Sequence, residues 1–163
     1  MAKTLKAQQM RTYLALTEAV SLLQYAVRQQ LQAEGGLSYV QFEILAQLAD
    51  ADGQLTMTDL ADCVVYSRSG LTHQAALLEK AGLITRRASP HDQRATIVDI
   101  TTAGRTRLAK VLPGHIQVVR GLLFDSLSAQ EVHTLGDIMS RTRDHMRARP
   151  PRSAKARKQR PDT

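Results

Sequence analysis

At 163 residues with 43% hydrophobic side chains, the chain is long and apolar enough for about one domain with its own core. A lone cysteine, Cys63, excludes an intramolecular disulfide and any cysteine-based zinc cluster built from one chain. No apolar run approaches a membrane span, and residues Met1 to Lys6 lack the pattern of a secretory signal, so a soluble cytoplasmic protein is expected. The formal charge is +7, but residues 149–163 hold six bases and one acid; the rest is only +2, so the folded part must argue for an anionic partner by pattern rather than by total.

In chain order, Leu16, Val20, Leu23, Val27 and Leu31 keep one apolar stripe over many helical turns, and Gly35 and Gly36 end that first helix. Ser38 followed by Gln41 is a capping box, after which Phe42, Leu45 and Leu48 line one face of a second helix closed by Asp52 and Gly53. Thr56 and Asp59 repeat the capping spacing and open a short third helix carrying Leu60, Ala61 and Val64 inward. A cap at Ser67 starts a fourth helix to about Ala81, with Leu71, Ala75 and Leu78 on its buried side. Its other face, Ser69, Thr72, His73, Ala76 and Lys80, is small, polar and free of acids. Two short helices joined by a tight turn, the second with such a face, outline a helix-turn-helix.

After Gly82 the period changes. Leu83 to Arg87 and Thr96 to Ile100 are short, partly β-branched runs around turn-forming residues 88–95, which predicts a β-hairpin with a basic tip. Thr101 begins a fifth helix in which Pro113 and Gly114 should produce a kink. Ser128 and Glu131 form a third capping box before Val132, Leu135, Ile138, Met139 and Met146 mark the last helix. Residues 148–163, basic and without apolar periodicity, are expected to be a disordered tail. The elements are therefore mainly α with a small β-hairpin that follows the helix-turn-helix outline.

The strings LTMTDLADC (55–63), SRSGLTHQAALLEKAGLITRR (67–87), SPHDQRATIVDIT (89–101), TAGR (102–105) and LSAQE (127–131) together resemble the MarR family of bacterial transcription regulators. With 37–48 similar as well, the resemblance covers roughly residues 10–147. It implies that the fold is mainly α with a small β-hairpin wing, a winged helix-turn-helix lobe plus an α-helical dimerisation region, and that the protein is a symmetric homodimer in which residues 1–36 and 104–147 form the helical dimerisation region and 37–103 the winged helix-turn-helix DNA-binding lobe. It implies double-stranded DNA as partner, with the recognition helix in a major groove and the wing against the adjacent minor groove. It also implies a regulator, most often a repressor, of a pseudo-palindromic operator, released by a small-molecule effector between the helical region and the lobes; no residue identifies that effector. Two features depart from the family pattern: His73 stands where Arg is common, and the extension beyond Arg147 has no counterpart.

The chemistry of single residues sharpens this. Arg94 at the wing tip suits a narrow, electronegative minor groove, and Asp92 beside it can hold the guanidinium in direction; the alternative is a local turn ion pair. On the fourth helix, Arg68 can fork to a guanine or meet a phosphate, while Ser69, Thr72 and His73 are short enough to let the backbone approach base edges. Arg86 and Arg87 can neutralise phosphates, or one of them can bridge to an acid within the lobe. Cys63 is read as a small buried side chain rather than a redox sensor. His133 and Asp137 share a helical face but make too thin a ligand set, so no metal or cofactor is expected. No nucleophile elbow or phosphate loop is present in the sequence, so an enzyme is not expected. Two other readings stay open: a coating protein that binds nucleic acid without base readout, and a ligand or stress sensor acting through a protein partner.

Overall fold

The computed structural model describes residues 4–64 and 68–148. The cap expected at Ser67 and the basic tail from Arg149 onward lie outside them. Among the described residues there are six α-helices: α1 (Ala7–Gly35), α2 (Tyr39–Asp50), α3 (Met57–Cys63), α4 (Arg68–Lys80), α5 (Thr102–Val119) and α6 (Ala129–Arg147). A π-helical turn, Arg120–Phe124, extends α5. Three strands, β1 (Gln54–Thr56), β2 (Ile84–Ala88) and β3 (Thr96–Ile100), form one antiparallel sheet in the order β1-β3-β2. Among the described residues no helix is long and apolar enough to cross a membrane.

Local chemistry sets the helix starts. At α2, Ser38 Oγ accepts from the Gln41 N–H at 3.2 Å while Gln41 Oε1 accepts from the Ser38 N–H at 3.0 Å. Ser128 and Glu131 exchange the same pair of bonds before α6. At α3, Thr56 Oγ1 accepts from the Asp59 N–H at 3.1 Å. Each such cap is worth about 1 kcal/mol. All three expected cap pairs are in place.

The core is one apolar cluster, with Ile44, Leu45 and Leu48 of α2, Leu60 of α3, Leu71 and Leu78 of α4, Ile84 and Val98 of the sheet and Val111 of α5 all essentially inaccessible. The start of α5 is pressed against β2 by glycine. Thr101 caps α5, accepting from the Gly104 N–H and donating to the Gly82 carbonyl, and a Cβ on Gly104 would collide with the Leu83 carbonyl oxygen. At the far end of the lobe, the Arg107 guanidinium donates to the Gly35 carbonyl at 2.6 Å and ties α5 to the end of α1.

Three expectations need amendment. The hairpin is part of a three-stranded sheet, because Gln54, Leu55 and Thr56 pair with Asp99, Val98 and Ile97. Pro113 lies inside α5, and Leu108 and Val111 before it and Val118 and Val119 beyond it all pack into or against the core. The α1 stripe divides, with Val27 and Leu31 buried but Leu16 and Val20 exposed. Cys63 is half-buried rather than buried.

That exposed half is not the only apolar stretch left uncovered among the described residues. Tyr13, Leu14, Leu22 and Tyr25 of α1, Ile116 of α5, Leu122 of the π turn and Ile138, Met139 and Met146 of α6 all stand in solvent in the single chain. Although well capped, α6 buries none of its residues.

Candidate nucleic-acid interface

Helix α4 buries Leu71, Ala75 and Leu78 at 1% exposure or less, which fixes the opposite side outward. Ser69, Thr72, His73 and Lys80 are exposed and Ala76 is half-buried, as the spacing predicts. Arg68 is the first residue of α4. Short side chains on this face leave the helix backbone free to come close to a flat edge.

The wing is the β2–β3 hairpin, in register from Ile84 opposite Ile100 to Ala88 opposite Thr96. Its tip is built by hydrogen bonds. Ser89 N–H donates to the Ala95 carbonyl at 2.8 Å, and Ala95 N–H donates to the Asp92 carbonyl at 2.9 Å. Asp92 Oδ1 accepts from the Arg94 backbone N–H at 2.9 Å. The aspartate thus grips the backbone of Arg94, not its guanidinium, since a side chain this short reaches the N–H two residues on. Arg94 itself is exposed, with no ion pair among the described residues.

The two strand arginines are both engaged. Arg86 makes a forked pair with Glu79 of α4, Nη2 to Oε2 at 2.6 Å and Nε to Oε2 at 3.0 Å, and its backbone N–H donates to Glu79 Oε1 at 3.0 Å. These bonds hold the Glu79 carboxyl below its usual range. Arg87 donates from Nε to Asp99 Oδ2 at 3.1 Å, with its side chain 49% exposed. Sequence reasoning allowed one internal bridge and missed Glu79 as its partner. The available signal was an acid in the last turn of a helix, where the macrodipole disfavours it.

A cleft of about 500 Å³ lies between α1 and the lobe, lined among others by Arg28 and Gln32 of α1, Tyr39 of α2 and Gln74 of α4. Burial raises the Tyr39 hydroxyl and, next to it, the Glu43 carboxyl above their usual pKa values. Gln74 Oε1 is buried there and has no hydrogen-bond partner among the described residues. His133 Nε2 and Asp137 Oδ2 approach to 3.5 Å on α6, and no group of three or more potential metal ligands occurs among the described residues.

Comparison with known proteins places this geometry. A family model described as MarR family matches residues 35–95, from the end of α1 to the wing tip. Sco3205 of Streptomyces coelicolor, a MarR family transcriptional regulator solved in complex with DNA, is 32% identical, with 93% of this chain and 94% of that one covered at a TM-score of 0.85. The chain belongs to the MarR family. A second MarR-family regulator from the same organism, AbsC, is 28% identical, with coverage of 91% and 100% and a TM-score of 0.84. Among curated relatives, the repressor YetL of Bacillus subtilis is 33% identical over 111 residues, 65% of this chain and 66% of its own length. The family match thus takes in the helix-turn-helix of α3 and α4 and strand β2 up to the wing tip.

Proposed function

We propose that this MarR-family protein is a homodimeric, sequence-specific DNA-binding regulator, a repressor of a pseudo-palindromic operator, and that it works in the cytoplasm. The observation that carries the reading is the joint exposure of an acid-free α4 face and, at the wing tip, of Arg94, whose guanidinium has no ion pair among the described residues. The first suits base edges in a major groove; the second suits a narrow minor groove. Arg68, Ser69, Thr72 and His73 are assigned to the major groove, Arg94 with Asp92 as its support to the minor groove, and Arg87 to a phosphate.

Residues 1–36 and 104–147 are assigned to dimerisation and 37–103 to the DNA-binding lobe. The apolar side chains left exposed on α1, α5 and α6 support this, because a 19-residue helix with no buried residue gains little stability until a second copy covers it. The effector is assigned to the cleft between α1 and the lobe, whose size fits a small organic molecule. Gln74 lines that cleft and belongs to α4, so a ligand bonded to it acts directly on the recognition helix. The coating alternative is disfavoured by the engagement of Arg86 with Glu79, which removes free charge from the lobe.

Selection of bound duplexes from a random pool tests the reading. Enrichment of one inverted-repeat sequence is expected, and a pool that stays random after repeated rounds overturns it.

A further inference from the structure

Resting on the DNA-binding reading above, we propose that Glu79 and Arg86 form a strap that sets the angle between the recognition helix and the wing. Glu79 is then a positioning residue for operator recognition, and Arg86 serves it instead of a phosphate. Glu79 lies in the last turn of α4, and Arg86 in the middle of β2. Three bonds from Arg86 occupy both oxygens of the carboxylate. One of them comes from the backbone. With the sheet order β1-β3-β2, β2 is an edge strand, and the Arg86 N–H on its open side is satisfied by the helix.

Among the described residues no backbone ladder joins α4 to the sheet. The turn around Gly82, whose φ of +72° suits glycine, links them, and Leu71 and Leu78 pack with Ile84 and Val98 in the core; to that non-directional packing the side-chain bonds add a directional one at the end of the helix. Arg87 and Asp99 differ in this respect: they join β2 to β3, strands already paired along their length. Nε and Nη2 of the guanidinium converge on Oε2 while the backbone N–H of the same residue takes Oε1, and three bonds to one planar carboxylate fix direction as well as distance. Its contribution to overall stability is modest, because the two side chains remain 26% and 37% exposed.

The lever is long enough to matter. Thr72 lies seven residues before Glu79, about 10 Å along the helix axis. A tilt of about 10° at the strap displaces it by about 2 Å, well beyond the range over which a hydrogen bond to a base edge survives.

The test compares Glu79→Gln and Arg86→Lys with the native protein, each titrated with the duplex it selects from a random pool and with a scrambled duplex, over a series of salt concentrations. Arg86→Lys keeps the charge and removes the fork; Glu79→Gln keeps an acceptor for the backbone N–H and removes the ion pair. Both variants are expected to lose about tenfold in affinity for the selected duplex, with scrambled binding and salt slope unchanged. If Arg86 instead meets a phosphate, Arg86→Lys binds nearly as the native protein does, and Glu79→Gln, which frees the arginine, binds both duplexes more tightly. That result overturns the strap. So does a lowered melting temperature with a native ratio of selected to scrambled affinity, which marks the pair as merely stabilising. A native protein with equal affinity for both duplexes overturns the DNA-recognition reading itself, and is distinguished from the other results because it appears before any substitution is made.

Discussion

Replacing Arg94 with alanine separates DNA contact from folding unusually well at this position. The side chain is exposed and without an ion pair, so its removal should change stability by no more than about 0.5 kcal/mol. In the complex, a guanidinium inserted in a minor groove should be worth about 1–2 kcal/mol, a factor of roughly 5 to 30 in affinity. Asp92 supplies the internal control. Its Oδ1 holds the Arg94 N–H, so Asp92→Ala loses a bond worth about 1 kcal/mol and loosens the tip. Asp92→Asn keeps the acceptor oxygen and removes a negative charge near the duplex, and should bind as well as or better than the native protein. Fluorescence anisotropy with the selected duplex, together with thermal melting of each variant, measures both quantities. Native affinity in Arg94→Ala refutes the minor-groove role. Equal weakening in Asp92→Asn and Asp92→Ala refutes the claim that the aspartate acts through the turn.

Other consequences follow from the packing. Val20→Glu and Ile138→Glu, each placing a charge on the exposed apolar surface, should convert a dimer into monomers by sedimentation equilibrium; a dimer that persists in both variants removes that surface from the interface. Gly104→Ala forces a Cβ against the Leu83 carbonyl and should cost about 2–3 kcal/mol in chemical denaturation, whereas a near-neutral effect contradicts the close approach of α5 to β2. The His115 ring packs 4.5 Å from Phe42, and burial lowers its pKa below the usual 6.5. A base depressed in the folded state gives stability that is complete above its unfolded pKa and is lost as pH falls through that value toward the folded one. The melting temperature should therefore decline as pH drops from about 7.5 to 5.5, and His115→Phe should flatten the decline; an unchanged profile in that variant assigns it elsewhere. Glu79 and Glu131, both lowered, act in the more acidic range below 4.5.

What the sequence made legible was mostly what is local. The caps at Ser38, Thr56 and Ser128 act within three residues of themselves, and the buried positions Leu71, Ala75 and Leu78 follow from a repeat that one helix imposes. The TAGR string could be matched to the family, but the reason for its glycine, contact with the Leu83 carbonyl across the lobe, required coordinates. β1 escaped because three residues carry no alternation, and their pairing is decided by β3 more than forty positions later. The Glu79–Arg86 pair spans a helix end and a strand, a separation for which no helical or strand spacing rule exists.

The account stands most directly on the symmetry of the DNA that the protein occupies. A hydroxyl-radical footprint on the selected duplex should show two equivalent protected patches with centres about 10 base pairs apart on one face, each flanked by minor-groove protection that vanishes in Arg94→Ala. A single unpaired patch, or continuous protection along the duplex, would contradict it.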